Sequence, residues 1–364
     1  GRRRALAGLA VVTAAGLGTA GWALSRSGGG KPAAAASPSR LLWARETGGR
    51  VSSGAAITGG VVYIGGADGV HAFEAASGRP VKTYRTGGAV TGAITVAGDT
   101  TLLAGCEDNL VYAWYIAFGG STWKYPTGGP VSGKPTAVKG RVYVGSDDHH
   151  VYALQAGTGQ VNWHYPTGGA VRSSPAPTAV TFNDYIYVGS DDGYLYALDA
   201  QTGKRGWRFR TSGAVRSGPF TDSSGSVYVG NEHGDLYEAD DQVANDPLWT
   251  FPAGGAIQGT PVSDGASTLY AGSADSSVYA VSLEEGGPAL WSYRTGGPVR
   301  SGPALAGEIL YVGSDDGHLY AINVTTGKPV WQYRTGGAIR SQILVADGVI
   351  YFGSLDHRVY ALRV

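Results

Sequence analysis

Paired acidic residues recur along this chain: "EDN" from Glu107, "DDH" from Asp147, "DDG" from Asp191 and "SDDG" from Ser314. Related triplets start at Ala67 ("ADG"), Glu232 ("EHG"), Ala274 ("ADS") and Leu355 ("LDH"). Adjacent carboxylates could work as general acid and base or hold a cation. A catalytic pair is needed once, however, and these return in nearly every unit. Asp-Gly is also a favoured pair for a two-residue type I′ hairpin, whose central residues both take positive φ. The acids are therefore expected to build turns.

A second recurrence is charged on one side only. Directly after a Val or Ile, at equivalent places in successive units, stand Ser52, Thr91, Ser132, Arg172, Arg216, Gln258, Arg300 and Arg340. If these segments line a common channel, four guanidiniums and an amide share one level opposite small hydroxyls. Such an arc could take a small anionic ligand through bidentate hydrogen bonds. The competing expectation is that each Arg pairs with turn acids such as Asp192 or Asp316. The histidines (His71, His149, His150, His164, His233, His318 and His357) follow no metal-ligand spacing, and no "GxSxG" elbow is present. One cysteine, Cys106, excludes an internal disulfide and any multi-cysteine metal site. No catalytic residue, metal or cofactor is expected in this chain.

The elements that would position these residues follow from a repeat. Trp43, Lys82, Trp123, Trp163, Trp207, Trp249, Trp291 and Trp331 align at intervals of 39 to 44 residues. Each interval holds strand-like runs of β-branched and aromatic residues between Gly, Asp and Pro turns, as in "PVRSGPALA" from Pro298, "EILYVGSD" from Glu308, "HLYAINV" from His318 and "PVWQYR" from Pro329. Sixty Gly, 22 Tyr and 9 Trp, with 15% charged residues, suit such an all-β chain. A period near 40 with four strands per unit predicts an eight-bladed β-propeller with four-stranded antiparallel blades over residues 41–364. The chain opens on a lone fourth strand at Leu41 and ends on three strands from Ala338, so the first strand can complete the last blade and close the ring. The recurring Trp residues (Trp43, Trp123, Trp163, Trp207, Trp249, Trp291 and Trp331) are expected to wedge between blades.

Before the repeat, Arg2, Arg3 and Arg4 precede an uncharged run from Ala5 to Leu24. Residues 1–26 are expected to form one transmembrane helix, or an export signal of twin-arginine type cleaved near Ala33 to Ser37. Residues 27–40 make a Gly/Pro/Ala/Ser linker, and the propeller beyond it is expected to be extracytoplasmic. Met is absent even at position 1, which suggests a processed form or a fragment with sequence upstream. Lys+Arg 28 against Asp+Glu 28 argues against a nucleic-acid partner, which needs a concentrated basic face. A protein or a small anion at a propeller face is the expected partner.

The repeat "A-x-D/N-x-x-T-G-x-x-x-W", followed by "G-G-x-V-x-S-x-P" and "V-Y-V-G-S-x-D-G-x-L-Y-A-L", resembles the pyrroloquinoline-quinone repeat of quinoprotein-like eight-bladed propellers. The resemblance spans residues 41–364 and implies the same fold. It implies three functional classes: quinone-dependent alcohol dehydrogenases, lipoprotein scaffolds of outer-membrane protein assembly, and extracellular propellers of bacterial receptor-type Ser/Thr kinases. The dehydrogenases carry adjacent cysteines and long excursions from the blades; here Cys106 is the single cysteine and the intervals leave no room. The scaffolds are lipid-anchored through an N-terminal cysteine, whereas Cys106 stands in a strand-like run aligned with "LYVGS" at Leu310. Arginines, one span, a linker and then a propeller match the order of the kinase class, in which a kinase domain would precede Gly1. The leading expectation is a non-catalytic sensor propeller of such a kinase. A free-standing envelope scaffold and a degenerate quinoprotein oxidoreductase are the alternatives.

Overall fold

The computed structural model describes residues 40–117, 120–179, 184–240, 246–284 and 289–364. The anchor or signal expected over 1–26, and the linker of 27–40 up to Arg40, lie outside them. The described residues form eight four-stranded antiparallel sheets arranged as an eight-bladed propeller. Blades 1 to 7 span residues 56–85, 95–126, 136–166, 176–210, 220–252, 262–294 and 304–334. Blade 8 combines residues 344–363 with the N-terminal strand Leu41–Glu46, whose Ala44 pairs with Tyr360 and Glu46 with Arg358. Among the described residues no helix is long and apolar enough to cross a membrane.

Side-chain pattern explains the layering. The second and third strands of a blade lie between neighbours on both faces, and they read as continuous apolar runs buried throughout, as in Val142, Tyr143 and Val144. The fourth strand is the outer edge. In Val161–Pro166 only Trp163 is buried, and it faces the next blade. Its indole Nε1 donates to Ala200 O of blade 4 at 3.0 Å; Trp123 reaches Ala156 O of blade 3 at 2.8 Å, and Trp43 reaches Ala75 O of blade 1 at 2.8 Å. The Thr-Gly pair of the repeat supplies the seat. Gly203 has φ of 71° and its missing Cβ would stand 2.6 Å from the Trp163 ring, so a side chain there fails on conformation and on space. The motif thus joins two blades: Trp43, Trp123, Trp163 and Trp291 dock on Gly78, Gly159, Gly203 and Gly327 of the neighbouring blade.

Two local expectations change. "PVRSGPALA" does not form a nine-residue strand; the inner strand of blade 7 is only Ala304–Ala306. The residues before it bridge blades instead, since Val299 N donates to Ser273 O of blade 6 while Ser301 Oγ bonds to Gly313 of blade 7. The acid-bearing hairpins between the second and third strands are also not type I′. In Ser146–His149 only His149 has positive φ, at 72°, and His149 N donates to Ser146 O at 3.2 Å. This is a three-residue loop with one left-handed position, filled elsewhere by Gly193, Gly317, Asn109 or His357.

Candidate functional site

That hairpin gives its two acids different tasks. The second acid binds its own blade: Asp148 Oδ2 accepts from Tyr152 Oη at 2.7 Å and from Gly128 N at 2.6 Å. Asp192 does the same with Tyr196 and Gly168, and Asp316 with Tyr320 and Gly296. Burial raises the pKa of Asp316, but the Tyr320 hydroxyl and the His318 and Gly296 amides outweigh it and hold the carboxyl below its usual value. The first acid is free to face the channel.

There it meets the arginines. A locked neighbour aims each one: Val171 is fully buried against Gly145, whose missing Cβ would be 2.2 Å from Val171 Cγ1, so the next residue, Arg172, turns to the channel. Arg172 grips Asp147 through Nε and Nη2 at 2.9 to 3.1 Å and reaches Asp191 with Nη1 at 3.1 Å. Arg216 binds Asp191 at 2.8 Å and lies 3.8 Å from Glu232. Gln258 Nε2 donates to Glu232 at 3.0 Å, and its Oε1 accepts from Arg300 at 3.0 Å. Arg300 and Arg340 then share Asp315, at 3.1 and 2.8 Å. The expected ring residues Arg172, Arg216, Gln258, Arg300 and Arg340 are therefore brought together as one arc alternating with acids. The partners are Asp191 and Asp315, the first acid of each pair, not Asp192 and Asp316.

The arc holds four guanidiniums and four carboxylates (Asp147, Asp191, Glu232 and Asp315), so it is balanced in charge. Hydrogen bonds donated to their acid partners push Arg172, Arg216 and Arg340 above the usual guanidinium value and keep them cationic. Side chains in the arc remain partly exposed, 39% for Arg172 and 46% for Arg340. The other half of the mouth is bare. Thr91 Oγ1 and Ser132 Oγ are buried without a hydrogen-bond partner among the described residues. Glu107, the acid of that half, is exposed, and no cation pairs with it among the described residues.

The channel cavity at the arginine level, about 160 Å³, is lined also by residues two positions further along each segment, Lys134, Ser174, Thr260 and Gln342. Lys134 has no carboxylate within ion-pair distance among the described residues, and burial lowers its pKa. Sequence reasoning passed over this level. The signal was available, since these residues stand two positions after the arginine level and side chains alternate along an extended segment.

The remaining candidates stay within the framework. Cys106 is buried and burial pushes its thiol up to about 11, which leaves no nucleophilic thiolate. His71 bonds Asp68 at 2.8 Å, and the His150 ring lies tilted against His164 with 5.3 Å between ring centroids. Among the described residues no three of His, Cys, Asp and Glu gather as a metal cage.

The repeat decides the family. The model described as outer membrane protein assembly factor BamB, a pyrroloquinoline-quinone-type repeat, matches residues 29–113, 86–288 and 274–364. The chain belongs to this family. Among solved structures it is similar to BamB from Moraxella catarrhalis, with 17% identity, a TM-score of 0.75, and 89% of this chain and 99% of that one covered. It is similar also to the computationally designed Ika8 protein, with 16% identity, a TM-score of 0.76, and 90% and 100% covered. At such identities the likeness concerns fold. No curated protein matches the chain.

Proposed function

We propose that this member of the BamB-like family is a non-catalytic propeller that holds a protein partner over its channel mouth. The asymmetry of that mouth carries the reading. Repetition alone would build eight equal segments, yet the paired arc from Asp147 to Arg340 faces a half with small hydroxyls and an unpaired Glu107. A rim with both charge signs and partly exposed guanidiniums suits a polar protein surface, which it steers and registers through complementary charges. The family's description as an assembly factor agrees with a protein partner. Added quinone and Ca²⁺ are expected to give no binding, which sets this reading apart from a quinoprotein oxidoreductase.

The test places a photo-crosslinking residue at Glu107, at Arg216 and, as control, at Val330 on the outer rim, in living cells. Discrete protein adducts from the two mouth positions and none from Val330 support the proposal; adducts equal at all three remove it.

A second reading puts the propeller outside the cytoplasm as the sensor part of a membrane Ser/Thr kinase. It is favoured by the order Arg2–Arg4, an uncharged run to Leu24, and a linker. An antibody to the propeller decides it. A membrane band well above 37.4 kDa supports an additional domain before Gly1, and a band at or below that mass excludes it.

A further inference from the structure

One seam of the ring lacks an aromatic residue. On the second strand of each blade, facing the next blade, stand Tyr63, Leu103, Tyr143, Tyr187, Tyr228, Tyr270, Tyr311 and Tyr351. Blade 2 alone has Leu. In blades 3 to 8 this Tyr packs beside the docking Trp of the same blade, with ring centroids 5.8 Å apart for Tyr143 and Trp163 and 6.0 Å for Tyr351 and Trp43. Trp123 of blade 2 has no ring partner among the described residues. Where the phenol is missing, an open cleft of about 400 Å³ separates blades 2 and 3, lined by Leu103, Thr101, Val138, Ala156 and Gly157 among others.

The cleft also keeps the carbonyl acceptor that the phenol uses in two other seams. In the seam after blade 3, Ala200 O receives two donors, Trp163 Nε1 at 3.0 Å and Tyr143 Oη at 2.9 Å. In the seam after blade 8, Ala75 O receives Trp43 Nε1 at 2.8 Å and Tyr351 Oη at 3.4 Å. The equivalent carbonyl beside the cleft, Ala156 O, receives only Trp123 Nε1, at 2.8 Å, among the described side chains. A mainly apolar slot, with Lys139 and Arg141 also in its lining and one open acceptor beside it, in a space of small-molecule size, selects a flat ring carrying a hydroxyl donor.

We infer that the seam between blades 2 and 3 binds a phenol ring, which takes the place of the missing Tyr and donates to Ala156 O. A free small phenol and a tyrosine side chain presented by a partner share this chemistry. The site is independent of the channel mouth.

The experiment titrates the full chain by calorimetry with p-cresol, with toluene and with N-acetyl-tyrosinamide. Saturable p-cresol binding is expected, with toluene about tenfold weaker for loss of one hydrogen bond. Binding of N-acetyl-tyrosinamide as tight as p-cresol supports a presented tyrosine, and binding of p-cresol alone supports a free phenol. Leu103→Tyr fills the slot and abolishes binding of every probe. Gly157→Leu gives a second block that does not depend on core repacking, since a Cβ at Gly157 meets nothing within 4 Å. The inference is overturned by absence of saturable p-cresol binding, by toluene binding as tightly as p-cresol, or by unchanged binding in a folded blocking variant.

Discussion

Lys134 holds its ammonium in the channel cavity with no carboxylate in reach among the described residues, and burial depresses its pKa below that of an exposed lysine. Between the folded value and about 10.4 the unfolded chain then binds more protons than the folded one, so folding stability rises with pH across that window. Below the folded value the destabilisation is constant. Lys134→Met is therefore expected to raise the thermal midpoint at pH 7, with an advantage that shrinks as pH approaches about 10.4. A midpoint that drops at pH 7 would mean the ammonium has a stabilising role. The wedge residues act in the opposite sense. Trp163→Ala removes a ring that is 8% exposed, leaves Ala200 O with one donor fewer and empties the seat over Gly203. Its expected cost is about 3–5 kcal/mol, read from urea unfolding; a loss under about 1 kcal/mol would show that the seam collapses around the gap.

At the scale of the elements, ring closure depends on six residues. The strand Leu41–Glu46 covers the edge of Arg358–Arg363, puts Trp43 into the seam with blade 1 and pairs Glu46 with Arg358 at 2.6 Å. Deleting residues 40–46 exposes that edge and one seam together, so the unfolding midpoint is expected to fall further than in Trp163→Ala. A peptide of residues 40–49 added in trans should restore part of it. An unchanged midpoint in the deletion variant would show that blade 8 stands on three strands. This closure was legible in the sequence because the Trp-bearing strand and the "YVGS" hairpins are out of phase by one strand. Blade number and Trp docking were legible for a related reason: each unit buries its faces against copies of itself, which forces identical apolar patterns. What the turns do with their acids was not. Asp191 and Asp192 are adjacent and chemically equal, and only the left-handed position at Gly193 decides which faces the channel. The short inner strands were also hidden, because Val299 and Ser301 satisfy their hydrogen bonds in two different blades, a long-range choice with no local signature.

For the whole molecule, the regular ring makes an irregular mouth informative. Arg172 lies between Asp147 and Asp191, and by the same geometry an arginine at position 132 would lie between Glu107 and Asp147. Ser132→Arg thus extends the arc into the bare half while leaving the blades unchanged. A partly exposed pair contributes roughly 0–1 kcal/mol, so the thermal midpoint should move little. The new guanidinium would engage Glu107, the exposed acid offered to a partner, and would cover the small hydroxyls at Thr91 and Ser132. Crosslinks in cells from the Arg216 position, where Glu107 is intact, should therefore drop sharply in Ser132→Arg and persist in the control Ser132→Ala. The salt dependence separates steering from shape. If Glu107 and the arc register the partner electrostatically, the crosslink yield from the Arg216 position with Ser132 retained falls as ionic strength passes about 0.15 M, where charges farther apart than about 8 Å are largely screened. Yields unaffected by salt and by Ser132→Arg alike would place the partner elsewhere on the propeller and remove the mouth as its docking face.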